Sequence, residues 1–412
     1  MPRPKLIVKK LNGGLGRRSP NADMVTGVVM NALATSQMEL NKIYELRSVE
    51  DVEALGLSAE YDDTNNVLVY HRLKRLFLRN PSIIVFFMPV AQEVTLTQMA
   101  DKSENYLAKL LRQQSGAIVQ CIIARNPDND YEATILNGLD KDSLDAIYKA
   151  QALMDAEFEK DRYAEVFVEG RNFTGTATGV ANLRGLLQKC PDVSVVIGAD
   201  YKISSKKEAY KYYAAVEDFA GMVSKAAVSQ NAGELIEAFN LTDVNEDAFI
   251  VAGLSSGLPI SDYNDTDLDT LNDKGYIYAV PVSGMAGFWF NDTPTCTVIA
   301  DDYAYVENNR TIKKAIKLAR LALLPRVKGR LYVDDQTGFM KPEVIKELET
   351  IAKTALNPML QDGDISGGVD AYINPEQNIL ATSEFEVLLT FVPVAIGRKI
   401  TLKVGFKNPL KN

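Results

Sequence analysis

From Val67 onward the apolar positions along the chain fall into a repeating order. Val67, Tyr70, Leu73, Leu76 and Phe77 recur at helical spacing and stop before Pro81, and residues 83–90 (IIVFFMPV) follow as a nearly continuous apolar run. Spacing of three to four marks one buried face of a helix, whereas a short unbroken apolar run marks a strand covered on both faces. The same pair recurs as 96–111 then 117–124, as 144–158 then 165–169, and as 180–187 then 193–199. A longer helical pattern through Tyr212, Val216, Phe219, Val223 and Ala227 leads to a strand at 249–252. Helices alternating with doubly buried strands predict an α/β fold, with a mostly parallel sheet carrying helices on both faces.

The ends of the chain break this rhythm. Residues 2–11 read as a short basic strand with Leu6 and Val8 on one side, interrupted by Asn12-Gly13-Gly14-Leu15-Gly16, which makes an arm and not a core element. Ser48, with Asp51 three residues on, caps a short helix through Val52 and Leu55 that stops near Gly56. Residues 254–295, rich in Gly, Pro, Asp and Asn, read as loops and hairpin strands. Beyond a composition change near Asp301 come a basic helix at 310–324 ended by Pro325, a strand at 330–333, a helix at 342–356 and three strands ending at Phe406. In the last of these, Ile400, Leu402, Val404 and Phe406 share one face and Lys399, Thr401 and Lys403 the other, so one face demands cover. The chain therefore divides into an N-terminal arm (1–20), a middle α/β domain (21–300), a C-terminal α/β domain (301–397) and a terminal strand with a basic tail (398–412).

Composition narrows the function. The 412 residues are 46% hydrophobic and 24% charged, as in ordinary globular proteins, and suffice for two or three domains. A net charge of −9 disfavours nucleic acid as the main partner. Cys121, Cys190 and Cys296 are odd in number and widely spaced, which suggests neither a disulfide framework nor a cysteine zinc site and points to synthesis in a reducing cytoplasm. No window reaches the ~18 apolar residues of a membrane span, so direct membrane insertion is not expected.

The candidate chemistry is thin. His71 is the single histidine and reads as a packing residue of the 65–79 helix. Gly175-Thr-Ala-Thr-Gly179, with Gly185 beyond, follows a strand and enters a predicted helix, the position of a phosphate-binding turn, but its spacing matches neither GxGxxG nor GxxxxGK[ST]. Gly253-Leu254-Ser255-Ser256-Gly257 does not form a GxSxG elbow. The acidic run 262–273 has Asp267 and Asp273 where a calcium loop needs Gly and Glu, and reads as a solvated loop. No catalytic residue, cofactor or metal is expected. Residues 310–330 carry eight Lys or Arg and no acid, with Lys313, Lys317 and Arg320 on one side of the helix, which calls for an acidic partner or a solvated face.

The C-terminal third resembles the contractile tail sheath family, which forms the outer cylinder of contractile phage tails and related injection machines. The resemblance rests on ENNRTIKKAIKLARLALLP (307–325), LYVDDQTGFMKPEVIKELE (331–349) and ISGGVDAYINPEQNILATSEFEVLLTFVPVAIGRKITLKVGF (365–406), with LIVKKLNGGLGR (6–17) and SVEDVEALGL (48–57) near the start. It implies a structural, non-enzymatic subunit that assembles in the bacterial cytoplasm into helical stacks of hexameric rings around an inner tail tube protein, with baseplate and terminator proteins as further partners. It also implies that the N- and C-terminal arms pair as strands with neighbouring copies. Leu6, Val8, Ile400, Leu402, Val404 and Phe406 would then be the strand contacts, with Gly13, Gly14, Gly16 and Gly397 as hinges between arm and body. Lys313, Lys317 and Arg320 are the expected inner-tube contacts. The alternatives are an α/β enzyme with a small-molecule site near Gly175 and a non-contracting baseplate component.

Overall fold

The computed structural model describes residues 22–406. The expected N-terminal arm, with Leu6, Val8, Gly13, Gly14 and Gly16, lies outside the described residues, as does the tail beyond Phe406. The chain forms two compact units, the first ending at Lys317 and the second beginning at Leu318.

The first unit is built on β1 (Val25–Asn31), β2 (Tyr44–Leu46), β3 (Ile84–Val90), β4 (Gln120–Ala124), β5 (Glu165–Glu169), β6 (Val193–Val196) and β7 (Tyr276–Ile277). They form one sheet in the order β7-β6-β5-β4-β1-β3-β2. All neighbours run parallel except the edge strand β2. Every residue of β1, β4, β5 and β6 is buried, as expected of strands covered on both faces. Helix α1 (Val69–Arg79) packs on α3 (Val216–Lys225), α2 (Lys141–Phe158) on β5 and β6, and α3 on β4 and β5. Gly27 admits the helix Leu107–Gln113 to the centre of the sheet, since a Cβ there would meet Leu110 Cδ2 at 2.5 Å.

Several expected elements differ. β1, at the centre of the sheet, is absent from the pattern reading, although VTGVVMN is a doubly buried run like the others. The 96–111 helix is two, Leu96–Ala100 and Leu107–Gln113. No helix forms at 180–187, only a 3₁₀ turn at Leu183–Gly185. The Lys274 ammonium takes the carbonyls of Ala177, Thr178 and Val180, each at 2.8 Å, which ties down the chain leading into this stretch. The acidic run is not a loop throughout, because Asn264 accepts from Asp267 N and starts a helix at Asp265–Asp273. The 330–333 strand reduces to one bridge, Val333 to Met340.

The second unit holds the end of α4 (Val306–Leu323), then α5 (Pro342–Ala355), β8 (Ile365–Tyr372) and β9 (Leu388–Pro393). Its small core is Met340, Ile345, Leu348 and Ile373, with Phe385 and Val387 packed against it. Helix α5 lies on β8, which pairs antiparallel with β9. Two of the three expected C-terminal strands thus form a hairpin, and the third has no sheet partner among the described residues.

Candidate assembly site

The hairpin of the second unit is unfinished. In β9, Leu389 and Phe391 turn toward the covered side, while Leu388, Thr390 and Val392 are exposed. Opposite them, Tyr372 pairs with Leu388 and Asp370 with Thr390, and both β8 residues are exposed as well. Each strand pairs only with the other, so each leaves one edge of N–H and C=O groups without a strand partner among the described residues. Open edges of this kind accept further strands.

A donor of matching form follows directly. Residues 394–406 make no ladder among the described residues, and Ile400, Leu402, Val404 and Phe406 are 89%, 82%, 84% and 109% exposed. Four large apolar side chains on one face of an extended segment are each worth about 1.5–3 kcal/mol if buried. Nothing approaches within 4 Å of the position a Cβ would take at Gly397, so the segment's root is uncrowded.

The basic helix makes bonds within its own chain. The Lys313 ammonium pairs with Asp192, donates to Ala164 O at 2.8 Å and stands 3.9 Å from Glu165. Lys314 pairs with Asp23 at 2.8 Å, and Lys317 donates to Gly116 O at 3.2 Å. The acidic partner called for by the sequence is therefore supplied within the first unit for Lys313. Arg320 is half-buried and also engaged. Beneath the helix is a cavity of about 40 Å³ lined by Asp23, Glu165, Arg310, Lys313, Lys314 and Lys317. Glu165 is buried with neither carboxylate oxygen hydrogen-bonded, and burial pushes its pKa up to about 7 against the pull of Lys313 and Arg310.

A ligand crevice of the usual α/β kind is filled by the chain itself. Such crevices lie beyond the carboxyl ends of the strands where the winding reverses, here around β1, flanked by β3 and β4. Asn31 donates to Ala91 O at 2.6 Å and Val94 O at 2.8 Å, and Asn126 donates through its backbone and side chain to Asn31. At the end of β5, Glu169 accepts from Arg125 N, Ala214 N, Arg171 and Arg72. Arg72 also reaches Glu217 at 2.6 Å, while Arg75 pairs with Asp200 and Arg79 with Asp218. Burial alone would raise the Glu169 pKa, but Arg72 and Arg171 hold it below the usual carboxylate value. This buried ladder of Arg72, Arg75 and Arg79 escaped the pattern reading, although spacings of three and four on an otherwise apolar helix face are its signal.

The remaining candidates carry no constellation. His71 is largely buried against Tyr213, and burial lowers its pKa well below the usual value. The Gly175 turn has φ of +83° and opens no helix, so the context of a phosphate-binding turn is missing. No group of His, Cys, Asp or Glu that could hold a metal ion occurs among the described residues, and no helix there is long and apolar enough to cross a membrane.

Residues 3–294 match the DUF2586 N-terminal domain and residues 302–411 the DUF2586 C-terminal domain. No curated protein sequence matches the chain. Among solved structures it is similar to a chain of the anti-feeding prophage helical sheath in its contracted state, with a TM-score of 0.62 at 14% identity over 99% of this chain and 100% of that one. A chain of the six-fold symmetrised baseplate of the same particle gives a TM-score of 0.60 at 14% identity, again over 99% and 100%. A chain of the contracted sheath complex of PVC, an extracellular contractile injection system, gives 0.56 at 11% identity over 99% and 98%. The fold, from the parallel-rich sheet to the C-terminal unit, is that of contractile sheath subunits.

Proposed function

This chain belongs to the DUF2586 family, and from that premise we propose that it is the structural subunit of a contractile tail sheath. It polymerises as helical stacks of hexameric rings around an inner tube and contracts to drive that tube through a target envelope. The observation that carries the reading is the pairing of needs in the second unit. An exposed segment at 399–406 with alternating apolar residues and a hairpin with open edges sit in one chain, and the sheath fold of its structural relatives supports joining them between copies.

Donation of 399–406 to the hairpin of an adjoining copy is β-augmentation: main-chain bonds supply affinity, and alternate side chains fill the open face. Because donor and acceptor are different surfaces, the contact is heterologous and propagates into rings or open helices instead of closing on two copies. Gly397 and the glycines at 13, 14 and 16 would let bodies rotate while strands stay paired. The extended state would then be a kinetic trap whose release needs no nucleotide.

Removing Arg398–Asn412 tests this. Soluble subunits that form no polymer by electron microscopy are expected, and sheaths of ordinary length from the truncated chain would defeat the donated-strand reading. A non-contracting baseplate component is the second reading, favoured by the likeness to a baseplate chain. It predicts discrete rings of fixed copy number in place of tubes.

A further inference from the structure

Two of the three cysteines, far apart in sequence, face each other in the fold. Cys190 precedes β6, and Cys296 lies in the segment that leads to α4. They form an isolated antiparallel bridge in which Cys190 N donates to Cys296 O at 2.9 Å, and Cys296 N donates onward to Val193 O at 2.8 Å. Both are free thiols with no exposed surface. Directly opposed residues of an antiparallel pair hold their Cα atoms about 4.5–5.5 Å apart, within the roughly 4.4–6.8 Å that a disulfide spans. Cys121, the third, lies in the middle of β4 and has no cysteine opposite it.

We propose that Cys190 and Cys296 are a latent disulfide, a redox modification site that a peroxide closes when the subunit leaves a reducing environment. One thiol sulfur attacks a peroxide oxygen, the O–O bond breaks, and a sulfenic acid and one water result. The second sulfur then attacks the sulfenic sulfur; the S–S bond forms, the S–O bond breaks, and the departing hydroxide takes the remaining thiol proton as a second water. Two thiols are oxidised and one peroxide is reduced. Burial holds both groups in the thiol form, pushing Cys190 up to about 12 and Cys296 well above its ordinary value. The reaction is accordingly slow and proceeds through local opening of the bridge. Once closed, the bond ties the entrance of β6 to the segment carrying α4. The pairing stands on the fold of the first unit and does not depend on the assembly reading.

The full-length chain, purified reduced and treated with hydrogen peroxide below its melting temperature, tests the proposal when it is then alkylated in denaturant and mapped by mass spectrometry. A linked pair of peptides containing Cys190 and Cys296 is expected, with Cys121 alkylated and all three thiols recovered by a reductant. The oxidised protein should also melt several degrees higher, because the bond closes a long loop in the unfolded chain. Cys121→Ser should retain the link and Cys296→Ser should lose it; should Cys296→Ser not fold, wild type and Cys121→Ser decide. Three alkylated thiols, a link through Cys121, or sulfonic acid at either cysteine without a link would each overturn the assignment.

Discussion

Glu165 sits under α4 with its two carboxylate oxygens unbonded and a pKa raised to about 7 from an ordinary 4.5. The folded state thus holds this proton more tightly than the unfolded state. The stability it contributes is full below the unfolded value and is lost as pH rises through the folded one. Glu165→Gln, neutral at every pH, should therefore gain about 3 kcal/mol over the native chain at pH 8 and about 1 kcal/mol at pH 5. Calorimetric melting at both values checks this, and a gain independent of pH would count against it. Lys313 gives the complementary case. Its partners Asp192 and Glu165 are in the same unit, so Lys313→Met should cost the dispersed subunit about 3 kcal/mol. Were the lysine only an intermolecular contact, the melting temperature would stay where it is. Its charge and helical position were legible in the sequence; its partner was not, because Asp192 and Glu165 reach it only through the folding of two sheet strands.

At the scale of elements, most strands covered on both faces were readable because burial favours an apolar run, as at Ile84–Val90, although β1 was missed despite being buried throughout. Other misreadings fall elsewhere: 180–187 holds only a 3₁₀ turn, with Lys274 binding the carbonyls of Ala177, Thr178 and Val180 at its start, and Asn264 makes a helix out of an acidic stretch through a local cap. At the terminal segment the alternation predicts an uncovered apolar face, and Ile400, Leu402, Val404 and Phe406 are all exposed. Replacing Ile400 and Leu402 with Asp should abolish polymer formation, seen by light scattering and microscopy, while leaving the melting of dispersed subunits within about 0.5 kcal/mol. Substitutions at the outer face of the hairpin, such as Leu388→Lys and Val392→Lys, should do the same from the acceptor's side.

For the whole molecule, the two units differ in how far their cores are complete. The first closes a continuous core around seven strands, whereas the second buries far fewer apolar residues and carries an exposed hairpin. Hydrogen exchange should separate them. Amides of β1, β4 and β5 are expected to be protected in dispersed subunits and polymer alike, those of 399–406 only in the polymer, and equal protection of 399–406 in both would remove the case for donation.

A chain that carries a sticky strand and a receptive hairpin together meets a solubility ceiling of its own making. Above some threshold concentration every newly made copy is a substrate for every other, so growth should show a lag, be shortened by pre-formed seeds, and proceed fastest where a template already fixes the first ring. The open edge of one small hairpin would in this way decide when and where a cylinder begins as well as what holds it together.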